Sequence, residues 1–218
     1  MAEPKKLILV GGGGTSADVL ALVESINRIA PRYLVLGLLD DAVAPGSVRF
    51  GVPVLGGLVD GSRWIDASFV DCMGSPASYL RREQILRERG LAPERFETIV
   101  HPSAFMAGDV QLGQGCILYP NVVVLAGVTL GAHVTVLANS VINHDVEVGA
   151  YSILASGVNV SGRVRIGRAV YVGCGASLRE GVAVGDGALV GLGSAVVRDV
   201  APGSVVAGNP ARPLIVNR

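Results

Sequence analysis

The second half of the chain carries a repeat that leaves few possible folds. An aliphatic-glycine pair recurs at Leu112-Gly113, Leu130-Gly131, Val148-Gly149, Ile166-Gly167 and Val184-Gly185, always 18 residues apart. From Met106, every sixth residue through Val196 is apolar, and the residue two before each later one is small or aliphatic, from Val110 to Ser194. A period of six matches neither the 3.6 of a helix nor the 2 of a strand. It fits a short strand followed by a corner, with three such sides closing one coil. Every sixth residue then fills a prism interior, and stacked coils pair through parallel strands about 4.8 Å apart. The expected architecture is a hexapeptide parallel β-helix of about five coils. It would span residues 96–218 and end in a cap at residues 200–211, because a solenoid's last coil must be covered.

The first half reads differently. Residues 6–10 form a buried strand, followed by Gly11-Gly12-Gly13-Gly14-Thr15-Ser16 and a helical pattern over 17–29. Residues 33–39 and 68–73 read as further strands, ending in Asp40-Asp41 and Gly74-Ser75, and residues 78–89 as a charged helix. This is a small Rossmann-like βαβ domain with a parallel sheet over residues 1–95, with residues 96–107 bridging to the first coil. A glycine-rich turn opening a helix presents bare N–H groups to an anion. Two readings stay open: a nucleotide site with Asp40 or Asp41 on a ribose hydroxyl, or a tight turn beside a solvated strand end. Ser16 stands where a dinucleotide fingerprint needs its third glycine, so a nicotinamide cofactor is not expected.

Composition narrows the function. Lys and Arg number 18 against 18 Asp and Glu, so the basic surplus of a nucleic-acid binder is absent. Half of the residues are apolar but only 5% aromatic, which suits an interior of Val, Leu and Ile. Cys72, Cys116 and Cys174 have no Cys-x-x-Cys spacing, which fits a reduced cytoplasm rather than a disulfide framework or structural zinc. Residues 110–144 contain no Asp, Glu, Lys or Arg, yet Gln, Asn, Pro and Gly interrupt them too often for a membrane span. The apolar run after Lys5-Lys6 is broken by four glycines, so no signal-peptide core forms. A soluble, cytoplasmic protein is expected, with neither nucleic acid nor membrane as partner.

The strings LILVGGGG, GLLDD, GVPVLGG, DCMGSP, VHPSAFMAGDV, SVINHDVEVG and GSAVVRDVAPGSVVAGNPAR together span nearly the whole chain. They resemble the NeuD/PglD-type sugar acyltransferases of the hexapeptide-repeat, left-handed β-helix superfamily. The resemblance implies a homotrimer with each active site in the groove between two β-helices. It also implies direct transfer of an acetyl group from acetyl-CoA to the amino group of a UDP-, GDP- or dTDP-linked amino sugar, in bacterial surface-glycan synthesis. His144 would be the general base and Asp145 its orienting partner. Gly13, Gly14, Thr15, Asp40, Asp41 and Gly74 would hold the nucleotide sugar. Ile153, Gly162, Gly173, Cys174, Gly191 and Leu192 would line coenzyme A, largely through backbone.

Three positions depart from the family pattern: Thr15-Ser16 where the loop usually reads His-Gly, Ile153 where many relatives carry His, and Leu137 where many carry Asn. Alternatives are a sugar O-acetyltransferase and a catalytically silent trimeric scaffold or nucleotide-sugar sensor. Only His133 and His144 fall in the solenoid, so no zinc site of the three-histidine kind is expected. His101 reads as a structural bridge residue, and His133 as a solvated turn residue.

Overall fold

The computed structural model describes residues 3–215, so residues 1–2 and 216–218, the outer ends of the two expected domains, lie outside the described residues. Contacts divide the chain into Met1–Thr98 and Ile99–Arg218. The boundary falls after Thr98 rather than after Arg95 because the next residues are tied to the first unit. Phe96 bridges Phe69, their rings 5.6 Å apart, and the Glu97 N–H donates to the Phe69 carbonyl at 2.8 Å.

In the first unit, β1 (Lys5–Val10), β2 (Tyr33–Leu39), β3 (Val48–Arg49), β4 (Val52–Gly56) and β5 (Ser68–Asp71) form one sheet in the order β3-β4-β2-β1-β5. All neighbours are parallel except the β3–β4 hairpin, which turns through Phe50-Gly51. Helix α1 (Gly14–Ile29) buries Val19, Leu22, Val23 and Ile26, the stripe that a 3.6-residue period places on one face. In β1, Leu7, Ile8, Leu9 and Val10 are fully buried, as a central parallel strand requires. The chain passes from β1 to β2 on one side and later returns to β5 on the other. The carboxyl ends of β1 and β5 therefore flank a topological switch point, where open α/β sheets bind ligands.

Two expected elements are shorter than the sequence pattern implied. The strand expected over 68–73 stops at Asp71, and the helix expected over 78–89 resolves into a 3₁₀ turn, Tyr79–Arg81, and helix α2 (Arg82–Glu88). The β1–β5 ladder ends at Val10 and Asp71, where β1 itself ends. Asp71 and Arg82 stand at these new element ends, with side chains 0% and 1% exposed and paired at 2.9 Å.

The second unit is a left-handed parallel β-helix with three faces. The first face stacks Phe105–Met106, Val123–Val124, Val141–Ile142, Asn159–Val160, Ser177–Leu178 and Ala195–Val196. The second stacks Gln111–Leu112 through Ala183–Val184, and the third runs from Ile99–Val100 to Val205–Ala207. Residues 99–100 already lie in the third face, so the segment expected as a bridge is largely coil. His101 follows them as a buried residue whose N–H donates to the Leu118 carbonyl at 3.0 Å. The stack ends where Arg212–Pro213 pairs antiparallel with Val205–Ala207.

From Leu118 to Val196 every sixth residue is at most 3% exposed, whereas Met106 and Leu112 at the open end are not buried. Each buried aliphatic contributes about 1.5–3 kcal/mol of burial free energy. Two of the interior serines, Ser140 and Ser152, are satisfied across coils in the same way. Ser140 Oγ donates to the Ala155 carbonyl at 3.0 Å and accepts the Val158 N–H at 3.2 Å. Ser152 Oγ does the same with Gly167 at 2.8 Å and Val170 at 3.0 Å. The 18-residue glycine ladder has a steric cause: a Cβ at Gly113, Gly131, Gly149, Gly167 or Gly185 would lie 2.2–2.7 Å from atoms of the next coil.

His133 is a correction. It is 1% exposed and stacks on Tyr151, its neighbour one coil on, with ring centroids 4.7 Å apart. Packing between coils, which a single turn does not reveal, removes it from solvent.

Candidate active site

The edge between the first and second faces carries the His-Asp pair. Val141–Ile142 ends at Asn143, His144 and Asp145, and Asp145 adopts a left-handed φ of 58° to turn the corner. Its N–H donates to the Ala126 carbonyl of the preceding coil at 2.9 Å, and the Arg163 N–H of the following coil donates to the His144 carbonyl at 2.9 Å. Asn143 Nδ2 donates to the Val160 carbonyl at 2.8 Å. The backbone under the pair is thus held from both sides.

His144 Nδ1 lies 2.9 Å from Asp145 Oδ2, and the side chains are 48% and 63% exposed. An ionised carboxylate only accepts, so Nδ1 carries the proton and Nε2 keeps its lone pair. The two side chains lean apart along the stack. Asp145 lies over Gly127, where a Cβ would be 2.5 Å from Oδ1, and the His144 ring lies over Gly162, where a Cβ would be 2.5 Å from Nε2. Gly162 is therefore brought to the pair. Arg163 stands one coil beyond Asp145, and its guanidinium pairs with Glu180.

The other expected coenzyme A residues fall elsewhere within the chain. Gly173, Cys174, Gly191 and Leu192 form the edge between the third and first faces, with Cys174 exposed and Leu192 81% exposed. The glycines there are explained by coil stacking, because a Cβ at Gly173 would meet the Leu192 nitrogen at 2.6 Å and one at Gly191 the Ala207 Cβ at 2.8 Å. Ile153 sits in the third face at 2% exposure, so its side chain offers almost no surface in the single chain. The described structure does not bring these residues to His144. Among the described residues, no group of three His, Cys, Asp or Glu is placed to hold a metal, and no helix is long and apolar enough to cross a membrane.

The residues expected on the nucleotide sugar do gather, at the carboxyl ends of β1, β2 and β5. Gly13 caps α1, Gly14 and Thr15 open it, and beyond the adjoining backbone no heavy atom lies within 4 Å of a Cβ built on Gly13 or Gly14. Gly74 follows β5. Asp40 is already engaged, accepting the Gly12 N–H at Oδ2 and the Ala42 N–H at Oδ1. Asp41 accepts the Leu58 N–H at 2.9 Å and pairs with Arg89 at 2.9 Å. Sequence reasoning missed Arg49, whose Nε donates to the Gly12 carbonyl. It also missed the Asp71–Arg82 pair, where Asp71 Oδ1 accepts the Met73 N–H at 3.0 Å and so anchors the residue before Gly74.

A family model for the bacterial transferase hexapeptide (six repeats) matches residues 127–162, a window running from the glycine beneath Asp145 to the glycine beneath His144. No curated protein matches the sequence. Among solved structures, the acetyltransferase domain of PglB from Neisseria gonorrhoeae, in complex with acetyl coenzyme A, is 28% identical with a TM-score of 0.82, covering 97% of this chain and all of that one. A variant of GDP-perosamine N-acetyltransferase from Caulobacter crescentus, in complex with CoA and GDP-perosamine, is 25% identical with a TM-score of 0.82 over 97% of both chains. WeeI from Acinetobacter baumannii, at 21% identity and a TM-score of 0.68, shares the fold over 96% of this chain and all of that one. The repeat, the two-unit architecture and likeness over nearly the full chain agree: the chain is similar to the sugar acyltransferases of the NeuD/PglD type with hexapeptide repeats, and these matches support an acetyltransferase enzyme.

Proposed function

We propose that the protein transfers an acetyl group from acetyl-CoA to the amino group of a nucleotide-linked amino sugar, in one step within a ternary complex. The observation that carries this reading is His144, whose Nδ1 is held by Asp145 while Nε2 stays free above Gly162. Bound acetyl-CoA supplies an acyl group activated as a thioester. As the amine nitrogen bonds to the carbonyl carbon and the carbon–sulfur bond breaks, His144 Nε2 takes the proton that the nitrogen must lose and returns it to the departing thiolate. A positioned imidazole contributes about 10²- to 10⁴-fold to such a step. Asp145 keeps the ring in the tautomer that can accept, and stabilises the imidazolium once it forms.

Gly162 lies on the His144 edge, whereas Gly173, Cys174, Gly191 and Leu192 lie on another edge of the same chain. A second copy that sets its third–first edge against the His144 edge unites them, which supports a homotrimer with intersubunit active sites. The glycine-walled edge, with Leu192 projecting, fits a slender pantetheine arm held mainly by backbone. Gly13, Gly14, Thr15 and Gly74 would receive the nucleotide's phosphates, with Asp40 toward the ribose. The need for acetyl-CoA and a nucleotide sugar favours the cytoplasm.

The test is thiol release from acetyl-CoA over UDP-, GDP- and dTDP-linked amino sugars, with His144→Ala alongside. Release with an amino sugar that is lost in His144→Ala is expected. Release only with hydroxyl sugars would replace this reading by O-acetylation, and silence with ligand binding intact would replace it by a scaffold or sensor. A monomer by sedimentation that still turns over would overturn the intersubunit site.

A further inference from the structure

We infer that Arg49 and Phe50, at the tip of the β3–β4 hairpin, form the arm that grips the nucleoside diphosphate of the substrate, a role that rests on the nucleotide-sugar reading above. Arg49 reaches from the hairpin to the glycine loop and donates Nε–H to the Gly12 carbonyl. That bond occupies the Gly12 carbonyl and places a full positive charge beside the glycine loop. The two terminal nitrogens of the guanidinium enter no ion pair among the described residues. Asp40, the carboxylate bound to the same glycine, is instead engaged by the Gly12 and Ala42 amides. A guanidinium with Nε tethered and its terminal nitrogens available is arranged for bidentate capture of phosphate. Above Gly13 and Gly14 the space is open.

Phe50 carries the second half of the argument. It occupies the first place of a two-residue hairpin turn with φ of 51°, followed by Gly51 at 80°. Such turns take Asn or Gly at that place, and a bulky residue there is an outlier. The strained position keeps the ring 44% exposed, with the Arg49 Cζ 4.9 Å from its centroid. Nothing in the core requires a ring at this tip. A cation over an exposed aromatic beside an anion-ready loop has the chemistry of a nucleoside diphosphate: charge for the phosphates and a π-face for the base.

The experiment is calorimetric titration of the full chain with UDP, GDP and dTDP, and with the corresponding nucleosides, without acetyl-CoA. Wild type is expected to bind one diphosphate far more tightly than its nucleoside. Arg49→Ala and Arg49→Gln should each weaken that diphosphate about tenfold or more, as loss of a charge-assisted pair implies. Gln can still donate to the Gly12 carbonyl, so binding by Arg49→Gln within about twofold of wild type would reduce Arg49 to a tether and overturn the inference. Phe50→Asn suits the turn and should fold at least as well while binding the diphosphate about tenfold more weakly, as loss of a stacked base implies. Unchanged affinity in that variant would overturn the base contact. Arg49-dependent binding without turnover would sustain this inference while sinking the transferase reading, and turnover with Arg49-independent binding would do the reverse.

Discussion

The imidazole of His144 occupies the space in which residue 162 would carry a side chain, with Nε2 2.5 Å from the Cβ position of Gly162. The nitrogen assigned as base is therefore seated against the backbone of the next coil. Gly162→Ala must displace the ring, whereas the rest of the corner can stay as it is. The expected result is a loss of kcat on the order of 10²-fold, the scale set by misplacing a catalytic group by about 1 Å, with the melting temperature within a few degrees of wild type. A fully active Gly162→Ala enzyme would separate the ring position from catalysis.

Asp145→Asn tests the tautomer. The amide can turn its NH₂ toward Nδ1, which pins the proton on Nε2 and removes the base. A drop in kcat on the order of 10²- to 10⁴-fold is expected, with KM for both substrates little changed. Steady-state kinetics at saturating substrate reads it, and a loss confined to KM would argue that Asp145 binds substrate instead.

The Asp71–Arg82 pair tests the architecture of the first unit. Both side chains are essentially unexposed, so Arg82→Met strands a buried carboxylate at a cost of about 3–5 kcal/mol. Denaturant unfolding measures it. Arg82→Met combined with Asp71→Leu should recover much of the loss, since removing both charges also removes their desolvation cost. No loss in the single variant would mean that water reaches Asp71.

His101 sets a pH dependence of stability. Burial lowers its pKa below the ordinary value of 6.5, so the folded state binds a proton less readily than the unfolded chain. Its contribution is fully present above the unfolded value and is lost as pH falls through and below it. Denaturation at pH 7.5 and pH 5 should show a smaller decline for His101→Gln than for wild type. An equal decline would assign the slope to other groups.

The β-helix was legible because one relationship recurs: each residue packs on the residue 18 later. Leu118, Val136 and Leu154 could be placed inside the prism from spacing alone, as could the corner of His144 and Asp145. Partners 18 apart but of unequal size were not legible. The pattern does not say that a ring fits over Gly162, that Tyr151 covers His133, or that Ile153 lacks exposed surface, because these follow from side-chain shape across coils. In the first unit no period helps. The bonds from Gly12 to Asp40 and from Arg49 to Gly12 cross 28 and 37 residues, and the buried Asp71–Arg82 pair joins two elements that are shorter than hydrophobic pattern alone implies. Local periodicity is written along the chain and determined the coil, its interior and the corner that carries the candidate base. Only the tertiary structure decided which groups meet across strand order and between coils, because those contacts depend on which surfaces the fold brings together.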